Sequence, residues 1–427
     1  MVAFDTPLIY TVHLMDTFFS ADFFIRNRQA LRNRIGSNIP IVITGNGLMQ
    51  RSGDEPTTFH QDSSFWYLTG INNPDLTLVI LANETYLIVP VLSFEREAFD
   101  GAHDLTAYAA RSGIQTILDA RVGWQRLKSS LQDQRTVAVL ASPPAFMKRH
   151  GLHTLPYRRR LIAKLKRYNP RLSFQDVRPE MAALRCIKQP QELRAIQSAI
   201  DITTETLQEI VTKDTLATAT REYQIEAALS YGFRNRGAES HAFAPVVGAG
   251  RHSTTLHHTA NDGVIALHDV IVLDVGASVE HYAADITRTV SQQPIRGRAA
   301  EIFRAVAAVQ DFALSQIKPG ILPLDYERRV RTYMGEQLRA LGVITEVTDD
   351  AIHKYFPHAT SHFLGLDTHD VGDYREPWQE NMVITCEPGI YIPEEGIGVR
   401  IEDNVLITST GNTVLSAACP RELVAVQ

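Results

Sequence analysis

The sequence predicts two domains, an α/β domain in the N-terminal half and an α+β domain with a curved antiparallel sheet in the C-terminal half. The chain has 427 residues, which is too long for one ordinary hydrophobic core. Short apolar strands alternate with helical segments in the first half, and this alternation is typical of an α/β domain. In the second half, pairs of strands alternate with amphipathic helices, which favours an α+β domain.

The N-terminal half contains strand and helix signals up to a boundary near residue 178. Apolar runs at residues 76–81 and 85–89 flank a three-residue connection and therefore predict a hairpin. The segment Asp176-Val177-Arg178-Pro179 is the predicted boundary, which gives domains of residues 1–178 and 179–427. Further signals predict a basic helix at 24–35, a strand at 41–43, a helix at 120–132 and a strand at 136–140.

A basic cluster lies between residues 147 and 171, and the sequence favours the solvated face of a helix over a nucleic-acid site. Leu161, Ile162 and Leu165 are interleaved with the charges, as on an amphipathic helix. The formal net charge of −6 gives no reason to expect nucleic acid or an anionic membrane as a partner. The basic residues are Lys148, Arg149, Arg158, Arg159, Arg160, Lys164, Lys166 and Arg167.

Four amphipathic helices are predicted after the boundary, from apolar residues at helical spacing. The first begins near Pro190, which suits the first turn of a helix, and the last ends before Gly342. The apolar positions are Leu193, Ile196, Ile200 and Leu207; Ile225, Leu229 and Phe233; Ile302, Phe303, Val306, Val309 and Phe312; and Val330, Met334, Leu338 and Leu341.

The cysteines and the first residues predict a cytoplasmic protein. Cys186, Cys386 and Cys419 are far apart and show no CxxC spacing, which argues for a reducing compartment and against a thiolate zinc site. Residues 1–20 lack a basic region followed by an apolar one, so we expect no signal peptide. No window reaches the roughly 18 uninterrupted apolar residues that a membrane span needs.

Two aspartates interrupt an apolar hairpin at residues 270–290. Asp274 is near the end of a continuous apolar strand, where an unpaired charge is rarely buried. If the strands turn about Val279 and Glu280, Asp274 and Asp285 face each other, and like charges roughly 5 Å apart are destabilising. A cation between them would remove the repulsion. One exposed and one hydrogen-bonded aspartate is the alternative that the hairpin alone leaves open.

Three further stretches place polar groups where the pattern predicts core. Residues 358–370 contain three histidines, an apolar strand ends at Glu387, and Arg400 and Glu402 share a strand face. With the hairpin, these stretches give four carboxylates and at least one imidazole. Four carboxylates cannot share a buried pocket unless some are protonated or cations are bound. Two divalent metal ions balance the charge, and oxygen-rich ligands without thiolate favour Mn²⁺, with Co²⁺, Fe²⁺ and Zn²⁺ as alternatives.

Such a metal pair predicts hydrolytic chemistry, because ions about 3.5–4 Å apart generate a bridging hydroxide and clamp a tetrahedral intermediate. An amide carbonyl suits this site, with His257 or His369 polarising the carbonyl or moving protons. The sequence contains no GxSxG, HExxH or P-loop motif, and no cysteine is in a recognisable nucleophile setting.

The order of these residues resembles the dinuclear metallopeptidases of the pita-bread fold. The phrases that are similar to the Xaa-Pro branch of that family are YAADITRT at 282–289, SHFLGLDTHDVG at 361–372 and EPGIYI at 387–392. In the N-terminal half, MQRS at 49–52 and QDSSFWYLTG at 61–70 resemble the non-catalytic domain of bacterial aminopeptidase P. The resemblance covers nearly the whole chain and is weakest over residues 1–40 and 100–175.

The resemblance implies a set of five metal ligands. Asp274 would bind one metal ion, and Asp285 and Glu402 would bridge both ions. His362 and Glu387 would complete the second ion.

The resemblance also implies roles in catalysis and substrate binding. Glu387 would act as general base, His257 would hydrogen-bond the substrate near the scissile carbonyl, and His369 would shuttle protons. The positions that match residues lining the proline pocket or ordering the metal ligands are His358, Tyr391 and Arg400.

These roles imply an aminopeptidase that removes the first residue from peptides with proline in second position. An X–Pro amide has no N–H, so its recognition needs a dedicated site. A prolidase, which cleaves only Xaa-Pro dipeptides, shares all five ligands and is the alternative. A catalytically inactive pita-bread binding module is a remote alternative. Such relatives typically lack metal ligands, whereas all five are present in this sequence.

Two short segments bear on the expected substrate entrance, and the N-terminal domain bears on the expected oligomeric state. Residues 373–378 and 393–396 are shorter than the resemblance leads us to expect, which bears on the shape of the substrate entrance. The N-terminal domain in this family often packs against a neighbouring subunit, so we expect a homodimer or homotetramer.

Overall fold

The computed structural model describes residues 17–36, 38–143, 151–212 and 214–422. In this part of the chain the first half is an α/β domain, and the second half combines antiparallel strand pairs with long helices. Expectations for residues 1–16 lie outside the described residues, as do Lys148 and Arg149 of the basic cluster. None of the helices described combines the length and the apolar character that crossing a bilayer requires.

The elements of the N-terminal half alternate along the chain. The strands are β1 (Ile41–Thr44), β2 (Gln50–Ser52), β3 (Glu55–Pro56), β4 (Thr77–Ile80), β5 (Thr85–Val89), β6 (Thr116–Asp119), β7 (Thr136–Val139) and β8 (Ser173–Asp176). The helices are α1 (Ala21–Ile35), α2 (Ser63–Thr69), α3 (Phe94–Asp100), α4 (Leu105–Ser112), α5 (Ala120–Ser130), α6 (Tyr157–Tyr168) and α7 (Arg178–Cys186).

A mixed six-stranded sheet forms the centre of this half. Its strand order is β6-β5-β4-β1-β7-β8. Strand β4 is antiparallel to both neighbours, and the other pairs are parallel. The predicted hairpin is the β4–β5 pair, in register from Thr77 opposite Ile88 to Ile80 opposite Thr85, so that prediction is confirmed.

Helix α6 confirms that the basic cluster is the solvated face of an amphipathic helix over its described residues. Leu161 and Leu165 are buried, whereas most of the arginines and lysines of this helix are exposed. Arg158 differs from them, because its Nη2 lies 2.7 Å from Asp62 Oδ2. This ion pair connects α6 to the start of α2.

Helix α2 is short, buried and sharply bounded. The Asp62 carboxylate accepts hydrogen bonds at 3.0 Å from the main-chain N–H groups of Ser64 and Phe65, which caps the helix. Gly70 ends it in the left-handed conformation, with φ 69°, a region that favours glycine. Both ends of the helix are therefore fixed by local chemistry.

The C-terminal half follows with long helices around strand pairs. The helices are α8 (Pro190–Thr212), α9 (Thr215–Thr218), α10 (Glu222–Asn235), α11 (Gly297–Gln316), α12 (Pro323–Ala340) and α13 (Asp349–Tyr355). The strands are β9 (Ser240–His241), β10 (Val246–Ala249), β11 (Ile271–Val275), β12 (Ala277–Val279), β13 (Tyr282–Ala283), β14 (Ile286–Val290), β15 (Val383–Cys386), β16 (Gly389–Ile392), β17 (Ile397–Arg400), β18 (Asp403–Ile407) and β19 (Asn412–Val414).

The strand pairs described in this half are all antiparallel, as predicted. They form the groups β10-β11-β14, β13-β12-β9, β15-β18-β19 and β16-β17. The four predicted amphipathic helices are α8, α10, α11 and α12, and most of their predicted apolar positions are buried. Gly342, with φ 70°, follows the end of α12 as predicted.

The predicted register of the aspartate hairpin is wrong. Asp274 lies opposite Thr287, and Ser278 lies opposite Ala283, so the turn is at Glu280 and His281, one residue later than expected. Both turn residues have positive φ, 46° and 67°, as a two-residue hairpin turn of type I′ requires. Asp285 lies in the break between β13 and β14 instead of directly opposite Asp274.

Candidate active site

A cavity of about 690 Å³ opens among the strand ends of the C-terminal half. The structure brings nearly all the sequence-predicted site residues to its walls. Tyr391 is the exception, because it lies behind the wall and contacts the cavity residues through hydrogen bonds. The predicted residues that line the cavity are His257, Asp274, Asp285, His358, His362, His369, Glu387, Arg400 and Glu402.

Strand ends and strand breaks position the four carboxylates. Asp274 is the penultimate residue of β11, and Asp285 lies between β13 and β14. Glu387 directly follows β15, and Glu402 lies in the two-residue link between β17 and β18. At these places the side chain can turn toward the cavity while the neighbouring apolar residues stay in the core.

Burial and mutual repulsion oppose ionisation of these carboxylates in the protein alone. Burial, then the charges of Asp274 and Glu387, raise the pKa of Asp285 well above its usual value. Burial, then Asp285 and Asp274, do the same to Glu402. Burial, then Glu402, raises the pKa of Glu387 to about 8. A site that gathers such groups needs bound positive charge to keep them ionised.

His362 is oriented as a ligand. Its Nδ1–H donates to the main-chain oxygen of Phe363 at 3.0 Å, so Nε2 carries the lone pair. Nε2 lies 3.4 Å from Asp285 Oδ2 and 3.5 Å from Glu387 Oε1. A histidine that donates its second ring nitrogen to a carbonyl while the first faces carboxylates is the usual arrangement of a metal ligand.

The residues present fit divalent metal ions. Asp274 Oδ1 is buried and has no hydrogen-bond partner among the described residues, so this oxygen lacks the interaction that a cation would supply. Ligand atoms of Asp285, His362 and Glu402 lie within 4.8 Å of one another. The donor set is carboxylate oxygen and imidazole nitrogen, which suits hard or borderline divalent ions.

Arg400 and Thr287 hold the carboxylates from behind. Arg400 donates to Asp274 Oδ2 at 2.7 Å and, through Nε, to Thr287 Oγ1 at 3.0 Å. Thr287 in turn donates to Glu402 Oε2 at 2.7 Å. The sequence analysis placed Arg400 near the metal shell but missed its pairing with Asp274, and it missed Thr287. The available signal was the two-residue spacing of Asp285 and Thr287, which puts both side chains on one face of an extended strand.

His358 is a neutral imidazole with both ring nitrogens hydrogen-bonded, and its Nδ1 also lies 3.5 Å from Glu387 Oε2. Its Nδ1–H donates to the oxygen of Ala359 at 2.9 Å, and its Nε2 accepts from the Tyr391 hydroxyl at 2.9 Å. Burial and then the Arg400 charge lower the pKa of His358 to about 3. The Tyr391 hydroxyl also accepts from Arg400 Nη1 at 2.8 Å, so Tyr391 connects the two wall residues His358 and Arg400 from behind.

His369 lies beside the ligand set and His257 on the opposite loop. The ring centroids of His369 and His362 are 4.2 Å apart. Burial, then the neighbouring imidazoles His362 and His257, lower the pKa of His369 to about 4. A neutral imidazole at this place can accept a proton, which is the chemistry predicted for it.

A second group of ligand-type side chains, Glu222, His252 and His258, lies behind the His257 loop and was not predicted. Glu222 is fully buried, and each histidine donates one ring N–H to it, His252 at 3.0 Å and His258 at 2.8 Å. The same carboxylate accepts main-chain N–H groups at residues 249 and 263. Four donors occupy its oxygens, so hydrogen bonding alone accounts for the group.

Two family models match the chain. The model for metallopeptidase family M24 matches residues 194–409. The model for the aminopeptidase P N-terminal domain matches residues 24–140. The predicted combination of an aminopeptidase P-type N-terminal domain with a pita-bread domain is confirmed by these matches.

Curated relatives and solved structures agree with the family models. The chain is 33% identical to Xaa-Pro aminopeptidase 3 of Rattus norvegicus, over 91% of this chain and 80% of that protein. It is 30% identical to Xaa-Pro aminopeptidase of Escherichia coli, over 92% and 94% of the two chains. Zn-substituted aminopeptidase P of Escherichia coli in complex with product superposes with a TM-score of 0.83 at 27% identity, over 95% of this chain and 96% of that one.

The matches span both halves of the chain and include the segments that carry the carboxylate and histidine site. Together with a donor set that fits divalent metal ions, they establish the class of enzyme. The chain belongs to metallopeptidase family M24.

Proposed function

We propose that this protein is a Xaa-Pro aminopeptidase, which hydrolyses the bond before proline at the N-terminus of peptides. The observation that carries the proposal is the convergence of four carboxylates and His362 on one cavity whose wall contains His358 and Arg400, which Tyr391 connects from behind. The similarity to Xaa-Pro aminopeptidases over nine-tenths of the chain supports the same substrate class.

The five ligands keep the roles that the resemblance implies. We propose that Asp274, Asp285, Glu402, His362 and Glu387 would hold two divalent ions. Mn²⁺ is the proposed metal, because four of the five ligand side chains are carboxylates. When bound, two such ions polarise the scissile carbonyl and make water a stronger acid.

The remaining chemistry belongs to the side chains around the ligands. Glu387 accepts the proton of the attacking water as general base, and the proton then passes to the departing proline nitrogen. His257 donates a hydrogen bond near the scissile carbonyl, and His369 moves protons beside His362. His358 and Arg400, which Tyr391 holds from behind, contact the proline ring and need no N–H donor from the substrate, which an X–Pro amide lacks.

A paired rate assay in Mn²⁺ tests the proposal. We expect fast release of the first residue from a Xaa-Pro-Yaa-Zaa peptide and slow cleavage of the Xaa-Pro dipeptide. The matched peptide with alanine in place of proline serves as control and is expected to be cleaved poorly. Cleavage of the dipeptide alone would assign the protein as a prolidase, with the short 373–378 segment as the cause to examine. If neither substrate is cleaved while metal is bound, the protein would be assigned as a catalytically inactive binding module.

Three further expectations belong to this proposal. We place the domain boundary between residues 178 and 179, and we keep the cytoplasm as the compartment. We also propose a homodimer or homotetramer. Light scattering tests the last point, since a measured mass near that of one chain, 47.7 kDa, would overturn it.

A further inference from the structure

Four charged side chains, three of them buried and the fourth, Asp367, partly exposed, form a cluster at the loop that carries His369. The Arg185 side chain, on α7, is 3% exposed and donates through Nη2 to Asp370 and, at 2.7 Å, to Asp367. Lys188 Nζ lies 3.2 Å from Asp370 Oδ2. The charges balance, yet burial of ion pairs does not by itself stabilise a fold. We therefore consider which segment the cluster holds in place instead of how much it stabilises the fold.

The cluster holds the loop at residues 362–370, because Asp367 and Asp370 belong to this loop. The loop has almost no regular secondary structure and closes on itself through main-chain hydrogen bonds, from Asp370 to Phe363 at 2.8 Å and from Gly365 to Asp367 at 3.1 Å. His369 lies between the two aspartates and lines the active-site cavity. The loop thus has His369 toward the cavity and two carboxylates bound to Arg185.

The N-terminal domain reaches the same loop through the first turn of α2, inside the QDSSFWYLTG motif. Ser63 Oγ donates to Asp367 Oδ1 at 2.6 Å, and Arg185 Nη1 donates to Ser64 Oγ at 3.2 Å. The Asp62 cap fixes this turn. A hydrogen bond to a carboxylate is among the stronger kinds, so the rigid end of α2 restrains Asp367.

The same motif also contacts the metal-ligand hairpin. The Trp66 ring is in edge contact with Tyr282, at 5.8 Å between centroids, and Phe19 stacks on Tyr282 at 5.4 Å. Tyr282 precedes Asp285 by three residues. One helix of the N-terminal domain therefore touches two of the segments that build the active site.

We propose that Ser63 and Arg185 are positioning residues, which hold the His369 loop in place so that the N-terminal domain completes the active site of the second domain. This inference rests on the proton-transfer role given to His369 in the proposed function. A loop that lacks the regular hydrogen bonds of a helix or sheet needs such support. A displacement of about 1 Å in a catalytic group costs up to roughly 10²-fold in rate.

A double-mutant cycle with His369 tests the inference. Ser63→Ala removes one hydroxyl at the surface of the cluster, and Arg185→Lys keeps the buried charge but loses the fork that reaches three partners at once. We expect each to lower kcat by about 10- to 100-fold with metal content unchanged. Ser63→Thr keeps the hydroxyl and is expected to retain kcat near the wild-type value.

The cycle separates positioning from a general structural effect. In the His369→Ala background, Ser63→Ala is expected to change kcat by less than about twofold, because the group that it positions is gone. An equal loss in both backgrounds, or no loss in the wild type, would overturn the inference. His369→Ala is measured first; if it leaves kcat unchanged, its proton-transfer role fails, and the positioning inference falls with it.

Hydrogen exchange gives a readout that does not depend on activity. In the metal-free protein, Ser63→Ala is expected to speed amide exchange in residues 362–372. The matched control is Ser112→Ala, because the Ser112 hydroxyl also belongs to the N-terminal domain but bonds only to the main chain there. The control is expected to leave both the loop exchange and kcat unchanged. Unchanged exchange in Ser63→Ala would contradict the inference.

Discussion

His358 and His362 are four residues apart, yet their hydrogen bonds give them different coordination chemistry. Each donates Nδ1–H to a main-chain oxygen, so Nε2 is an acceptor in both. In His358, the Tyr391 hydroxyl occupies that acceptor at 2.9 Å. In His362, Nε2 faces carboxylates, which have no proton to give when ionised. Only His362 therefore has a lone pair available to a metal ion.

The two carboxylates proposed to bridge the metal ions lead to the first prediction at this scale. Asp285→Asn and Glu402→Gln each remove a negative charge that we assign to a bridge between two metal ions. We expect activity to be lost and metal content to fall below two ions per chain, with the fold kept, because each change preserves shape. Metal analysis and circular dichroism measure this, with Glu301→Gln at an exposed position of α11 as control. Wild-type turnover with two metals bound would show the ligand assignment to be wrong.

Thr287 leads to a second prediction, since its hydroxyl connects Arg400 to Glu402. Thr287→Val keeps the volume and removes both hydrogen bonds. We expect metal affinity to fall by about 10- to 100-fold, as is typical when a group that orients a ligand is lost. Titration of the metal-free protein with Mn²⁺ measures the change. Thr289→Val is the matched control, because Thr289 bonds only to the Arg400 main chain; equal losses in both would contradict the prediction.

The residues of the candidate site differ in how far the sequence could predict them. The five proposed ligand positions lie in phrases that resemble one family, so the resemblance alone selects them. The Arg400–Asp274 ion pair joins residues 126 positions apart, and the Ser63–Asp367 hydrogen bond joins residues of the two domains that are 304 positions apart. Such contacts depend on how distant elements pack, and neither composition nor periodicity contains that information.

At the scale of elements, the site is built where strands end or break. Apolar periodicity predicted β4, β5 and the four long helices well, because burial of one face determines them. It failed for the register of the aspartate hairpin, since Glu280 and His281 adopt positive φ without the Asn-Gly or Asp-Gly signal of such a turn. Tertiary contacts of the turn, including the Arg111–Glu280 ion pair, stabilise what the local sequence does not favour.

The loop that carries His257 leads to a prediction at this scale. Glu222, at the first residue of α10, binds this loop at residues 249, 252, 258 and 263. All four partners of Glu222 donate to it, so the amide N–H of Glu222→Gln would face another donor. We therefore expect the loop to become more mobile. We expect kcat/KM to fall at least tenfold, while metal content stays constant. Glu205→Gln on the exposed side of α8 is the control. A variant with unchanged kcat/KM would show that the loop needs no such anchor.

At the scale of the whole molecule, the two domains share one buried core and several polar contacts near the site. Gln189, just before α8, donates to Asn27 of the N-terminal domain at 2.8 Å, and Glu192 accepts from the Tyr282 hydroxyl at 2.9 Å. Apolar residues from both halves, including Phe19, Trp66 and Tyr282, belong to one continuous cluster. Separation of the domains would therefore expose Tyr282 of the hairpin to solvent, because Phe19 and Trp66 of the N-terminal domain pack on it.

Glu192 makes the stability of this junction depend on pH. Burial raises its pKa to about 7, despite hydrogen bonds and the Lys188 charge that lower it. Between the unfolded value near 4.5 and about 7, the folded protein holds a proton that the unfolded chain has released. Stability from this group therefore falls as pH rises through that window, by at most roughly 1.4 kcal/mol per pH unit, and is constant above it.

Glu192→Gln removes this dependence, because the amide resembles the protonated acid: its oxygen can accept from the main chain of Gln189 and its N–H can donate to Tyr282. We expect the variant to gain stability relative to the wild type as pH rises from 4.5 to 7, and the difference to level off above 7. Urea unfolding of both metal-free proteins at each pH measures it, and effects of other titrating groups cancel in the difference. A difference that is flat or that shrinks with pH would mean that Glu192 is ionised throughout, and that the domain junction contains a buried charge instead of a proton.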